Sequence, residues 1–287
     1  MRSLLFVPGD SERKLEKSLA SGADVLIVDL EDSVSPERKS VAREIAGSFL
    51  RGLERPASQR LFVRINDLES GLADDDLAAL VAAGPDGILL PKAESGRDVT
   101  RLAAKLNLHE ARAGIDEGVT EIIAIITETA LGTLSTATYA GSSARLAGLS
   151  WGAEDLSAAI GARSARDETG TYTDVFRLAR ALTILGAAAA QTTAIDTVFV
   201  DYRDEQGLRR ECADAERDGF TAKLAIHPAQ VPVINEMFTP SPQAVEEARK
   251  IVAAFASDPS AGVIGIDGKM FDRPHLRRAE RLLARAG

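Results

Sequence analysis

Eight short apolar runs recur along this chain, and amphipathic helical patterns alternate with them from end to end. The runs cover residues 3–7, 25–30, 60–65, 87–90, 121–126, 145–150, 197–200 and 222–226. Nearly all are apolar without alternation, as expected of parallel strands covered on both faces. Between them the helical period predicts helices over 12–20, 36–50, 75–83, 96–107 and 173–190. Gly22 follows the first of these as a plausible C-cap. Eight βα units in 287 residues predict an α/β chain folded as a (β/α)8 TIM barrel. The competing doubly wound sheet would place a Gly-x-Gly-x-x-Gly turn after its first strand, and Pro8-Gly9-Asp10 stands there instead.

The expected barrel spans 1–232, and residues 233–287 form a C-terminal extension longer than barrel closure requires. Pro240-Ser241-Pro242 announces a helix over 241–256, with Ser241 as N-cap and Pro242 in the first turn. A loop over 258–262, a strand-like run over 263–266, an Asp267-Gly268 turn and a basic helix over 274–286 follow. Such a tail is expected to cap the barrel mouth or to reach a neighbouring subunit.

Composition narrows the function classes. A chain 45% hydrophobic and 27% charged reads as an ordinary soluble globular enzyme. A net charge of −9 argues against a nucleic-acid binder, which needs clustered Lys and Arg. The lone Cys212 excludes an intrachain disulfide and a Cys-rich zinc site. Its polar surroundings read as a helix surface, and no nearby His would activate it. No run approaches the ~18 apolar residues of a membrane span, so the expectation is a cytoplasmic protein without membrane contact.

The ends of the apolar runs carry the chemistry, as in a parallel barrel they should. Glu128 and Asp155 follow the fifth and sixth runs. Two carboxylates converging there would repel one another unless a cation lay between them, and Mg2+ commonly takes two such oxygen ligands plus water and substrate oxygens. Helix N-capping is the alternative for both. Arg64 ends the third run, where its planar fork can hold a carboxylate or a developing enolate. A structural salt bridge to Asp29, Glu31 or Asp32 of the second run is equally open. Those three acids could orient Arg64 or the water shell of a metal.

Lys92 ends the fourth run and could form a Schiff base if its pKa were depressed. The acids crowding the same mouth would keep it charged instead, in an electrostatic, substrate-binding role. Arg13, Lys14 and Lys17 follow Pro8-Gly9-Asp10 and could grip the phosphates of a long cofactor tail, or form a solvated helix face. His227 ends the eighth run before a proline and reads as a turn residue or an acid–base group.

With these residues in view, the sequence resembles the citrate lyase β-subunit-like family, which includes malyl-CoA and citramalyl-CoA lyases, within the HpcH/HpaI aldolase superfamily. The matching segments are Leu5-Phe6-Val7-Pro8-Gly9, Val28-Asp29-Leu30-Glu31-Asp32-Ser33-Val34, Val63-Arg64-Ile65-Asn66, Leu90-Pro91-Lys92, Glu128-Thr129, Gly152-Ala153-Glu154-Asp155-Leu156 and Ala225-Ile226-His227-Pro228-Ala229-Gln230-Val231. Their order and number carry the likeness over nearly the whole chain.

The resemblance implies a barrel holding Mg2+ through Glu128 and Asp155, with Arg64 polarising the substrate carbonyl. It implies making or breaking a C–C bond between an acyl-CoA and a 2-oxo acid, with a coenzyme A thioester as substrate. Asp267-Gly268-Lys269-Met270-Phe271-Asp272-Arg273-Pro274 resembles the C-terminal motif that supplies an acid to an adjacent subunit. Asp272 is then the matching carboxylate, although it could equally N-cap the last helix. A homo-oligomer, trimer or hexamer, is implied as well.

Two departures bear on the acyl group: the segment 158–172 is short, and Leu131 follows Glu-Thr-Ala where relatives often carry Arg or a small residue. The expected function is a Mg2+-dependent lyase for malyl-CoA or citramalyl-CoA. Hydrolysis or synthesis at the same site is an alternative, as is a citrate lyase β subunit acting on an acyl-carrier-protein thioester. A non-catalytic barrel is a further possibility, against which Arg64, Glu128, Asp155 and Asp272 speak.

Overall fold

A computed structural model describes residues 1–53 and 59–286. The elements run β1 (Ser3–Pro8), α1 (Glu12–Ser18), β2 (Val25–Asp29), α2 (Lys39–Arg51), β3 (Arg60–Arg64), α3 (Ala73–Leu80), β4 (Gly87–Leu90), α4 (Gly96–Ala113), β5 (Glu121–Ile125) and α5 (Ala130–Leu134). They continue with β6 (Leu146–Ser150), α6 (Ala153–Ile160), α7 (Asp174–Ala189), β7 (Thr193–Asp196), α8 (Glu205–Asp218), β8 (Ala222–Ala225), α9 (Val231–Phe238), α10 (Pro242–Ser257), β9 (Val263–Ile266), β10 (Lys269–Asp272) and α11 (Arg273–Ala286). The first eight strands close into a parallel barrel in chain order, β8 pairing back onto β1 through Ser3 and Lys223. Chain contacts divide the molecule into two compact units, Met1–Asn235 and Glu236–Gly287.

The barrel interior is filled by Leu4, Val25, Ile27, Phe62, Leu89, Ile123, Ile125, Ile195, Ala222 and Leu224. Every other residue of a strand points inward, so β-branched and aliphatic side chains interleave as a packed core, not a channel. Capping sets the helices: Ser95 and Asp98 form a capping box at α4, and Ser241 accepts from the Ala244 N–H at 3.1 Å at α10. In the C-terminal unit β9 and β10 form an antiparallel hairpin. There Phe255, Ile251 and Phe271 form a separate small core with Ala248 and Ala279. No helix among the described residues is long and apolar enough to cross a membrane.

Two expectations need correction. The seventh strand is Thr193–Asp196, not the run 197–200. Thr193, Ala194 and Ile195 pair with Gly148, Leu149 and Ser150 of β6, leaving 197–200 beyond the paired segment. The strand ends on a charge, Asp196, which accepts from the Lys223 ammonium at 2.7 Å inside the fold. Cys212 does not face solvent: it is fully buried on the inner side of α8, and burial pushes its thiol up to about 12. The polar residues around it occupy the other faces of that helix.

Candidate active site

Arg64 is the last residue of β3, and its guanidinium is almost fully surrounded. Nε and Nη2 donate to the two oxygens of Asp29, each at 2.7 Å, in a bidentate pair. Nη1 lies 2.9 Å from Glu31 Oε2 and 3.3 Å from Asp32 Oδ2. The guanidinium carbon sits 4.7 Å from the centre of the Phe6 ring. The salt bridges read as an alternative to catalysis are therefore present, and they brace the arginine in one orientation. Burial alone would push Asp29 up, but the Arg64 hydrogen bonds hold its carboxyl below the usual range.

Glu31 has fewer compensating bonds. Burial pushes its carboxyl up to about 7, against the pull of Arg64 and Lys92. Its Oε2 is buried without a hydrogen-bond partner among the described residues, despite the nearby guanidinium. Asp32, by contrast, is exposed.

Lys92 joins this group to the carboxylates of the next two strands. Its ammonium contacts Glu31 and lies 3.6 Å from Asp32 and 3.7 Å from Asp155. Burial disfavours the charge, but the Glu31 contact and the surrounding acids win, and the amine holds its proton more tightly than an ordinary lysine. A Schiff-base role does not suit an amine so placed. The Lys92 backbone N–H donates to Glu128.

Glu128 lies three residues past the end of β5 and is buried. Burial, followed by the nearby Asp155 carboxylate, pushes its carboxyl up to about 8. Asp155 does not sit at a strand tip. It occupies the first turn of α6, and Gly152 is the N-cap of that helix. A Cβ on Gly152 would come within 2.7 Å of Glu128 Cγ, so only glycine lets the two segments approach this closely. The site thus brings together Arg64, Asp29, Glu31, Asp32, Lys92, Glu128 and Asp155.

The remaining predicted residues lie elsewhere. Arg13, Lys14 and Lys17 are exposed on α1. Asp272 ends β10 in the C-terminal unit, its Oδ1 2.5 Å from His275 Nδ1 and 3.4 Å from the His275 backbone N. The hydrogen bond to His275 holds its carboxyl below the usual range. His227 behaves as a turn residue, accepting from the Ala229 N–H at 3.2 Å and stacking on Tyr202 at 4.4 Å. A cavity of about 330 Å³ in the C-terminal unit, lined by Lys250, Ile251, Ile266, Lys269 and Phe271 among others, contains none of the predicted site residues.

Sequence reasoning missed two supports. Lys39 of α2 donates to the carbonyls of Leu30 and Glu31, each at 2.7 Å, fixing the turn that carries the acids. Asp76 of α3 accepts from the backbone and side-chain nitrogens of Asn66, at 2.8 and 2.7 Å. Both lie within charged helical stretches, where nothing in the local pattern separates them from solvated neighbours.

The HpcH/HpaI aldolase/citrate lyase family model matches residues 2–228. A citrate lyase subunit beta-like protein of Mycobacterium tuberculosis (strain CDC 1551 / Oshkosh) is 37% identical over 286 residues, covering 99% of this chain and 94% of that protein. A (3S)-malyl-CoA thioesterase of Cereibacter sphaeroides (strain ATCC 17025 / ATH 2.4.3) is 35% identical, over 99% of this chain and 94% of its own length. Among solved structures, protein CitE from Mycobacterium tuberculosis in complex with magnesium, acetoacetate and coenzyme A superposes with a TM-score of 0.79. The identity is 35%, over 100% of this chain and 98% of that chain.

Proposed function

Because the chain belongs to the HpcH/HpaI aldolase/citrate lyase family, we propose that it is a Mg2+-dependent carbon–carbon lyase acting on a 3-hydroxyacyl-CoA of the malyl-CoA or citramalyl-CoA type. The products are acetyl-CoA and a 2-oxo acid. The observation that carries the metal reading is the buried Glu128 carboxyl, crowded by Asp155 and pushed up to about 8. Such a pair gains most from a cation shared between them. No group of three or more His, Cys, Asp or Glu side chains is placed to hold a metal ion among the described residues. The proposed site therefore uses two carboxylates, with water and substrate oxygens completing the shell. When bound, the divalent ion supplies a Lewis acid for the oxygens of the oxo-acid half.

The chain's own residues do the rest. Arg64, held by Asp29, keeps a guanidinium edge where negative charge gathers as the C–C bond breaks. Lys92 adds a second fixed positive charge beside it. The carbinol gives its hydroxyl proton to solvent water and becomes the carbonyl of the 2-oxo acid. The electron pair of the broken bond passes to the α-carbon of the acetyl thioester, which takes a proton from Asp272; because His275 holds that carboxyl below the usual range, Asp272 must first take a proton from solvent. The exposed cations Arg13, Lys14 and Lys17 are assigned to the phosphates of coenzyme A.

Thioester hydrolysis is the second reading, supported by the similarity to a malyl-CoA thioesterase. The purified protein is to be incubated with Mg2+ and malyl-CoA or citramalyl-CoA, following oxo acid and free thiol together. Oxo acid without thiol is the expected result. Thiol with little oxo acid would transfer the assignment to a thioesterase, and neither product would favour a carrier-protein thioester as substrate.

A further inference from the structure

Beside the turn that carries Asp155 lies a buried charged cluster that the lyase reading does not use. Lys223 of β8 is fully buried, a rare place for an ammonium. Its strand neighbours Ala222 and Leu224 pack inside the barrel, so Lys223 points outward to the helical layer. There its Nζ donates to Asp196 and to Glu211, each at 2.7 Å. The second oxygen of Asp196 accepts from the indole N–H of Trp151 at 2.8 Å, and the second oxygen of Glu211 accepts from Arg166. Arg166 lies 3.6 Å from the centre of the Tyr172 ring, and Tyr172 meets Trp151 edge-on at 5.0 Å. The contacts close into a ring of six residues that begins and ends at Trp151.

A buried ionic ring is a weak source of stability, because desolvation offsets most of the attraction. Its placement suggests a different use. Trp151 stands between Ser150, whose carbonyl accepts from the Ile126 N–H at 2.9 Å, and Gly152, the residue packed against Glu128. The ring therefore holds the chain at the point where the Glu128 and Asp155 segments meet.

We propose that Trp151 is a positioning residue: its indole, fixed by Asp196 and Tyr172, sets the Gly152–Asp155 turn against Glu128 and so tunes the affinity of the site for a divalent cation. The inference rests on the reading of Glu128 and Asp155 as metal ligands. Loss of an outer support typically weakens a metal site by about 10–100-fold. The action here runs through backbone, so the lower end of that range is expected.

The test is Mn2+ binding, counted by electron paramagnetic resonance, in the unaltered protein, in Trp151→Phe and in Leu106→Ala. Phe keeps an aromatic ring for Tyr172 and lacks the N–H donor, while Leu106 is a buried α4 residue whose truncation only destabilises. Trp151→Phe is expected to bind Mn2+ about tenfold more weakly, with Leu106→Ala unchanged. Equal affinity in Trp151→Phe and the unaltered protein, or an equal loss in Leu106→Ala, overturns the positioning role. An unaltered protein that binds no Mn2+ removes the metal reading and the inference with it.

Should Trp151→Phe not fold, the unaltered protein still gives an answer. Trp151 is the only tryptophan of the chain, so its indole N–H resonance is unambiguous. That resonance is expected to shift on saturation with Mg2+. An unmoved signal in protein with proven metal binding overturns the proposal.

Discussion

Lys92 carries a backbone φ of 50°, in the left-handed region where a Cβ is strained. The contacts of its two ends account for that: the N–H faces Glu128 and the ammonium faces Glu31. Strain of this kind persists where the surroundings over-determine it. Lys92→Gly and Lys92→Ala both remove the ammonium, but only glycine adopts this backbone freely. Urea unfolding is expected to find the glycine variant about 1 kcal/mol more stable than the alanine variant; equal stabilities would show that the backbone relaxes.

Glu128 predicts a pH dependence. Its carboxyl titrates near about 8, against 4.5 for an ordinary glutamate. The folded, metal-free protein thus keeps a proton that the unfolded chain has lost, so this group lowers stability progressively as pH rises from about 4.5 to about 8. A cation needs the ionised form. Divalent affinity, read by Mn2+ titration, should rise with pH and level off above about 8. A flat profile would mean that Glu128 is not a ligand.

At the scale of elements, the two ends of the barrel use buried ion pairs differently. Opposite the candidate site, Arg145 just before β6 meets Glu110 of α4 at 2.8 and 2.5 Å, and the amides of Thr120 and Gly118 add bonds at 2.9 and 3.0 Å. Burial would raise the Glu110 carboxyl, but Arg145 and these amides hold it at about 2. Its contribution is fully present above the ordinary value of 4.5, up to about 3 kcal/mol, and is lost as pH falls through about 2. Glu110→Ala leaves Arg145 buried without its counter-ion and should cost about 3–5 kcal/mol in urea unfolding. A cost under about 1 kcal/mol would show that water replaces the carboxylate. This cluster was invisible in the sequence, since residues 107–120 carry no pattern marking Glu110 as buried. Strands were legible where the apolar run and the paired segment coincide, as in Gly87–Leu90. The seventh was not: Thr197-Val198-Phe199-Val200 has the stronger β-forming composition, and only the partner strands select Thr193–Asp196. The position of Arg64 at the end of β3 was legible for the same reason as the strands, whereas Asp155 lies in the first turn of α6. Trp151 acts through Asp196, 45 residues on, and Lys39 and Asp76 through partners 8–10 residues away across a strand–helix turn, spacings that no helix or strand period announces.

For the whole molecule, the residues proposed for the reaction are distributed over the two compact units. The carboxylates and the arginine belong to Met1–Asn235, and the proposed proton donor Asp272 belongs to Glu236–Gly287. Asp272 is paired with His275 at 2.5 Å within its own unit. That pairing accounts locally for a partly exposed aspartate at the start of α11, as a cap would, and so does not by itself assign catalysis. The resemblance of the Asp267–Pro274 segment to a motif that serves an adjacent subunit makes a sharper demand. If Asp272 completes the site of a neighbouring copy, Asp272→Ala and Arg64→Ala are each inactive alone, because every site lacks one group. Mixed oligomers of the two contain some sites with both groups intact, and lyase activity should return on mixing. Size-exclusion chromatography with differently tagged chains verifies that mixed oligomers form. No recovery in verified mixtures would place the acid within its own chain. Full activity of Asp272→Ala by itself would remove Asp272 from the reaction and leave it as the cap of the last helix.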